Sequence, residues 1–325
     1  MSPAGARVAT RPGVLARALR LPFLSVSAAA VALGWATARL GGAALDPATA
    51  AATLLGALLV HAGVNVLNDY YDHLNGVDAA NDSALPPYTG GSRVIQEGLV
   101  PPRAMARLGT GLLGAGALAG LWLSAGTGPA LLPLGALGLA LGWAYSAPPA
   151  WLAARGLGEA AVAAGFGLLV PLGADFVQRG ALSAVPLAAG LPYGLLVAAL
   201  LFVNEIPDRP ADAACGKRNW AVRLGPEHGP RGFFALLGAS GAALGLAVAA
   251  GALPAPALGA GGALLPGLLA GLSLRRHRHH PARLGRAIRL SLAAALAYPL
   301  LLGAILYALP PTGAQELVRG MPSMA

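Results

Sequence analysis

The chain has 325 residues, of which 56% are hydrophobic and 11% charged, with 46 glycines and a formal net charge of +9. Length alone would suggest about two soluble domains, but so apolar a composition excludes an ordinary soluble fold and reads as a polytopic membrane protein. The arginine surplus does not point to nucleic acid, because the basic residues sort by loop instead of forming one face.

Residues 1–20 are polar, Arg-rich and punctuated by Pro and Gly, which predicts a flexible basic cytoplasmic tail without chemistry of its own. A basic region before an apolar run also resembles a signal peptide. Leu21 to Ala38 is longer than a usual signal core, however, and everything after it stays membranous, so it reads as the first span. Charge-free stretches at 21–38, 47–68, 180–204 and 290–315 each hold one span. The stretches 108–154 and 232–274 hold two each, divided at Gly126–Pro129 and Gly251–Pro254. A span over about 157–178 is the weakest, since it must place Glu159 and Asp175 near the interfaces. The expectation is an all-α protein of nine transmembrane helices in a single domain, 21–310, with a short C-terminal tail, 311–325. With the N-terminus in the cytoplasm, nearly all basic residues, Arg7 and Arg11 among them, collect on the inner side, leaving Arg39, Arg179 and Arg319 outside. That is a multi-pass protein of the cell membrane, in contact with its lipids.

Span two ends in Asn65-Val-Leu-Asn-Asp-Tyr-Tyr-Asp-His-Leu-Asn-Gly-Val-Asp78. On a helix Asn65 shares a face with Asp69, Asn68 shares one with Asp72, and Asp69 and Asp72 are an i,i+3 pair. Two adjacent anions call for a cation between them, whereas His73 and Asn75 read as loop-side bystanders. The connection 73–103 contains Thr89-Gly-Gly-Ser-Arg93, where glycines let backbone N–H groups approach an anion and Arg93 can fork onto phosphate. Spans three and four are small-residue packing elements. Trp143 and Tyr145 at the end of span four suit either an interfacial belt or a pocket lining.

Span six ends in Asn204-Glu-Ile-Pro-Asp208-Arg-Pro-Ala-Asp212. Asn204, Asp208 and Asp212 are one helical turn apart, and Pro207 and Pro210 predict a break there. Lys217 is the single lysine, and Cys215, the single cysteine, excludes an internal disulfide or a cysteine-based metal site. His277, His279 and His280 among arginines read as a solvated loop facing lipid headgroups.

Two carboxylate clusters near one bilayer surface repel and are costly to desolvate. Mg²⁺ relieves this, because it prefers oxygen ligands, keeps several waters and bridges carboxylates to phosphates. Arg93, Lys217 and Arg218 add the positive charge a diphosphate needs. The alternative for interfacial acids is an ion or proton path in a transporter, but clustering at span ends counts against it.

Asn68-Asp-Tyr-Tyr-Asp72 and Asp208-Arg-Pro-Ala-Asp212 resemble the two Asp-rich motifs of the UbiA superfamily of intramembrane prenyltransferases. Gly90-Gly-Ser-Arg-Val-Ile-Gln-Glu-Gly98, Tyr145-Ser-Ala-Pro-Pro149, Arg155-Gly-Leu-Gly-Glu159, Gly216-Lys-Arg218 and Val222-Arg-Leu-Gly225 are similar to its 1,4-dihydroxy-2-naphthoate prenyltransferase branch. The chain departs at Gly76, where the superfamily pattern has an acid that here comes at Asp78, and at Asn219-Trp220, where that branch has Thr-Leu. The resemblance implies a nine-helix bundle around a central cavity with its active site on the cytoplasmic side. It implies Mg²⁺-assisted loss of diphosphate from a polyprenyl diphosphate and capture of the prenyl group by a lipophilic or aromatic acceptor. Asp72, Asp208, Asp212, Asn68 and Asp69 would be the catalytic and metal-holding residues. Arg93, Lys217, Arg218, Asn65 and Asn204 would bind diphosphate, and Tyr145, Arg155 and Tyr71 would line the acceptor pocket. An enzyme of the same fold that cyclises the isoprenoid without an acceptor is the alternative.

Overall fold

The computed structural model describes residues 12–311, and among these every regular element is helical. Arg7, Arg11, Arg319 and residues 312–325 of the expected C-terminal tail lie outside the described residues. A short helix, α1 (Pro12–Ala18), leads through Arg20 into α2 (Leu21–Leu40). There follow α3 (Pro47–Leu74), α4 (Pro102–Thr127), α5 (Leu131–Ser146), α6 (Gly158–Arg179), α7 (Val185–Ala214), α8 (Trp220–Ala249), α9 (Ala255–His277) and α10 (Gly285–Ala308).

Eight of these, all except α1 and α5, are long and apolar enough to cross a membrane. The span expected to be weakest is the 22-residue α6, which continues through a π-helical turn at Gly165–Leu169. Asp175 near its end is paid no desolvation penalty alone: it accepts from the Thr37 hydroxyl at 2.8 Å and pairs with Arg179 at 2.9 Å. The shortfall falls on α5 instead, whose 16 residues are fewer than the roughly 20 that cross a bilayer. Pro129 precedes it and Pro148-Pro149 follows it, so it cannot extend at either end.

In the bundle α3 packs on α4, α7 on α8, α2 on α6 and α10, and α10 on α9. The core is centred on α7, where Tyr193, Phe202 and Val203 are buried and the Tyr193 hydroxyl donates to the Val26 carbonyl at 2.6 Å. The break expected at Pro207 and Pro210 does not occur. Both prolines lie inside a continuous helix near its end, where few downstream turns depend on them, and the Ser83 hydroxyl donates to the Pro207 carbonyl at 2.6 Å. The interruption is in α8, at Gly225 with φ 63° followed by Pro226.

α6 and α7 cross with their backbones nearly touching. A Cβ on Gly190 would sit 1.9 Å from the Gly167 carbonyl oxygen, and one on Gly194 would sit 2.5 Å from that of Ala163. Gly190-x-x-x-Gly194 is thus a small-residue contact of the kind that lets membrane helices approach closely. Gly190→Leu should abolish recovery of folded, monodisperse protein in detergent. Gly245→Leu, at a position with open space around it, should leave the size-exclusion profile unchanged.

Candidate active site

The site lies where α3 and α7 end. α3 starts cleanly because Asp46 accepts from the Thr49 N–H at 2.8 Å with Pro47 in the first turn. It carries Asn65, Asn68 and Asp72 along one face, each about a turn after the last. It stops at Asn75, after which Gly76 takes φ 78°. α7 brings Asn204, Glu205, Asp208 and Asp212 to the facing wall. Between the two helices a cavity of about 670 Å³ has a polar end at these residues, and its apolar length runs past Val60 and Thr53 of α3 and Gly138, Gly135 and Leu131 of α5.

Lys217 stands between the two walls. Its Nζ lies 3.7 Å from Asp72 Oδ2 and 3.4 Å from Asp212 Oδ1. Burial alone would push this ammonium down, but Asp72, Asp212 and Glu205 outweigh it and hold it well above the ordinary lysine range. Asn219 caps α8 by accepting from the Val222 N–H at 2.9 Å and donates to Asp212 Oδ2 at 2.7 Å. Asp72 Oδ2 accepts from Asn68 Nδ2 at 3.0 Å. Asp72 Oδ1 and Asn204 Oδ1 are buried without a hydrogen-bond partner, and Asp212 Oδ1 has only the Lys217 ammonium.

Asp208 is occupied by the connection between α3 and α4. Its Oδ1 accepts from Asn81 Nδ2 at 2.7 Å and its Oδ2 from the Gly90 N–H at 2.9 Å. Gly90 and Gly91 have φ of 75° and 72°, and a Cβ on Gly91 would sit 3.0 Å from Asp78 Oδ1 and 3.1 Å from Asp69 Oδ1. The glycines do bring backbone N–H groups to anions, but the anions are the protein's own carboxylates.

Residues 24–293 match the profile of the UbiA prenyltransferase family. The chain belongs to that family. It is 36% identical over 163 residues to the 1,4-dihydroxy-2-naphthoate octaprenyltransferase of Mycobacterium tuberculosis, covering 50% of this chain and 53% of that one. To the Bacillus subtilis protein of the same name it is 26% identical over 174 residues, 54% of each chain. The chain thus spans about half the length of these curated relatives. The fold matches the apo structure of a UbiA homolog from Aeropyrum pernix K1 with TM-score 0.60 at 19% identity, over 88% of this chain and 97% of that one. It also matches a UbiA homolog from Archaeoglobus fulgidus bound to DMAPP and Mg²⁺, with TM-score 0.55 at 16% identity, over 91% and 99%.

Of the residues singled out by sequence, Asn65, Asn68, Asp72, Tyr145, Asn204, Asp208, Asp212 and Lys217 line the cavity together. Asp69, expected beside Asp72, turns the other way. It accepts from the Ser92 N–H at 3.2 Å and pairs with Arg20. Arg93, expected to reach phosphate, donates to the carbonyls of Asp78 and Asn81 at 3.3 and 3.1 Å from a backbone at φ 59°. Arg155 and Arg218 are exposed, Arg155 donating to the Pro149 carbonyl at 2.7 Å. Tyr71 packs edge-to-face on Tyr70, with ring centroids 5.2 Å apart.

Arg20, assigned to a tail without chemistry, is the principal residue that sequence reasoning missed. It lines the cavity, donates to Asn68 Oδ1 at 3.2 Å and pairs with buried Asp69. Its backbone at φ 51° lies between two helices, a conformation that costs a non-glycine residue free energy. An arginine directly before an apolar span, two residues ahead of Pro22, was the available signal. The expected flexible tail is corrected accordingly: its residues 12–18 form α1, and Arg17 pairs with Glu97 at 2.7 Å and donates to the Ser92 carbonyl at 3.0 Å. His61, also missed, lies deeper in the cavity with its Nδ1 2.8 Å from the Ser27 hydroxyl.

Arg20→Ala leaves Asp69 buried and unpaired. It should lower stability by roughly 3–5 kcal/mol, read as a large fall in melting temperature that Asp69→Asn in the same chain partly reverses. Burial, then the charges of Asp72 and Asp69, raises the Asp78 carboxyl to about 8 against the pull of Arg20 and Lys217. Folding therefore takes up a proton between the ordinary aspartate range and about pH 8, and this group's contribution to stability falls as pH rises through that window. Asp78→Asn should raise the melting temperature, measured without divalent cations, more at pH 9 than at pH 4. An equal shift at both would contradict this.

Proposed function

We propose that the chain is a Mg²⁺-dependent intramembrane prenyltransferase that moves a polyprenyl group from its diphosphate to an aromatic, naphthoate-like acceptor and releases pyrophosphate. The observation that carries this reading is one cavity joining a carboxylate-rich end to a long apolar bore. From Asp72 to Thr53 that bore follows α3 for about 28 Å at 1.5 Å per residue, which suits a diphosphate head with a hydrocarbon tail. The names of the mycobacterial and Bacillus relatives support the acceptor class.

The residues present fit Mg²⁺. Asp72 Oδ1 and Asp212 Oδ1 are buried oxygens with no hydrogen-bond donor, and the donor set is hard oxygen throughout. Among the described residues no three acidic or histidine side chains converge on one point. This agrees with an ion held by one or two carboxylates, water and substrate phosphate instead of an all-protein cage. Asp72 and Asp212 would hold it, with Asp208 and Asn68 on the same walls, and Asp69 would act through Arg20. Mg²⁺ bound there would supply positive charge against the diphosphate.

Lys217 and Arg20 offset the charge that builds on the leaving oxygen as the allylic C–O bond breaks. Asn65 and Asn204 offer side-chain amides at the same end, and Tyr145 presents an aromatic ring to the developing carbocation. Apolar walls keep water from capturing that cation before the acceptor ring does. In this reading the short α5 completes nine crossings, the N-terminus is cytoplasmic, and the polar end faces the cytoplasm in a single domain of the cell membrane.

Purified protein in detergent should release pyrophosphate from geranyl diphosphate or a longer homologue only with both Mg²⁺ and an aromatic acceptor. Asp72→Asn and Asp212→Asn should each lower that rate by at least about a hundredfold. Hydrocarbon or alcohol products from the diphosphate alone would favour the cyclase instead. Undiminished turnover in both variants would end the proposal.

A further inference from the structure

Two carboxyls in the wall of the cavity are not among the residues assigned to Mg²⁺ or to the diphosphate. Glu205 lines the cavity and is 7% exposed, with Oε2 accepting from nothing; Glu159, in the first turn of α6, is 1% exposed and meets the Glu205 carboxyl and the backbone of Trp220. The two carboxyls neighbour each other. Lys217 and Asp212 face Glu205, Arg223 faces Glu159, and Tyr145 faces both. Among the described residues no ion pair joins either carboxyl.

Buried oxygens that only accept are costly unless a donor reaches them. Glu205 Oε2 has no donor from the protein, and the cavity gives a bound ligand access to it. Glu205 precedes Asp208 by three residues, about 4.5 Å along the helix axis, on the apolar side of the carboxylate end. A ligand group there sits beside the carbon from which diphosphate departs. A carboxylate would be repelled and an ether or hydrocarbon would leave the oxygen unpaired, but a hydroxyl on an aromatic ring satisfies it.

We propose that Glu205, backed by Glu159, is the subsite that accepts a hydroxyl O–H of the aromatic acceptor and so fixes which ring edge meets the prenyl carbon. This rests on the prenyltransfer reading and adds to it a position and an orientation for the acceptor. An O–H donated to this oxygen also enriches the ring in electron density at the moment of attack.

The test uses the full chain in lipid nanodiscs, with 1,4-dihydroxy-2-naphthoate and its mono-O-methyl ethers as probes. Equilibrium binding is followed by fluorescence quenching, and product formation is followed separately. Glu205→Gln should weaken binding of the dihydroxy probe and raise its KM by about ten- to a hundredfold. KM for geranyl diphosphate should change less than KM for the dihydroxy probe, and an unchanged size-exclusion profile shows that the variant is folded. Wild type should bind one of the two ethers more weakly by a similar factor, and the variant should not distinguish that ether from the parent. Glu205→Asp should recover part of the loss.

If Glu205→Gln binds the dihydroxy probe as wild type does while wild type prenylates it, the subsite is wrong and water satisfies the pair, but the prenyltransfer reading stands. If wild type forms no acceptor-dependent product with any aromatic probe, the prenyltransfer reading fails and takes the subsite with it.

Discussion

The ammonium of Lys217 between Asp72 and Asp212 is the contact on which the polar end of this bundle depends. Two helices from different parts of the chain both finish in carboxylates and pack around one cavity, and nothing apolar can hold such ends together. At 3.7 and 3.4 Å from the two carboxylates, one buried cation converts their repulsion into an attraction across the walls. Arg20 does the same for Asp69. Asp69, Asp72, Asp78, Asp212, Glu159 and Glu205 are all buried acids, so these two cations leave the cap short of positive charge, a shortfall that the proton held by Asp78 reduces. That deficit is the electrostatic condition under which a divalent cation and a charged substrate would bind.

The covering of the cavity follows from the same carboxylates. The α3–α4 connection is anchored on both walls, through Gly90 and Asn81 to Asp208 and through Ser92 to Asp69. Gly90 and Gly91, both at positive φ, let the main chain come closer to those oxygens than a side chain would allow. Helix α1 then fastens the loop from outside by the Arg17 pair with Glu97, an exposed contact whose worth lies in position more than in energy. Arg20 and Arg93, two of the three non-glycine residues at positive φ among the described residues, both belong to this cap. Strained backbone tends to gather where structure is held in place for function.

The acceptor side is decided by a different balance. At the diphosphate end Lys217, Arg20, asparagine amides and backbone N–H groups meet part of the acids, and Asp72 Oδ1 and Asp212 Oδ1 stay without a hydrogen-bond donor. One turn along α7, Glu205 Oε2 has no hydrogen-bond donor, and the acid beside it is Glu159. A wall with cations and amides at one end and an unpartnered carboxyl oxygen one turn further in would separate a site for a charged head from a site for a hydroxylated ring.

Composition, charge sorting and the two Asp-rich stretches were sufficient to identify an all-helical membrane bundle, the ends of its helices and the residues that meet across it. These features are local: hydrophobic run length decides what can cross a bilayer, and one-turn spacing decides which side chains share a face. The sequence by itself therefore determined Asn68, Asp72, Asp208, Asp212 and Lys217 as one group. Only the tertiary structure decided which way the neighbouring groups turned. Asp69 and Arg93 satisfy local rules for a ligand-facing role, yet each finds a protein partner first, because burying a charge unpaired costs more than any preference of the helix face. Arg20 enters the site through packing that no window of sequence contains, whereas α5 falls short of a full span because of Pro129, Pro148 and Pro149, which the sequence does show.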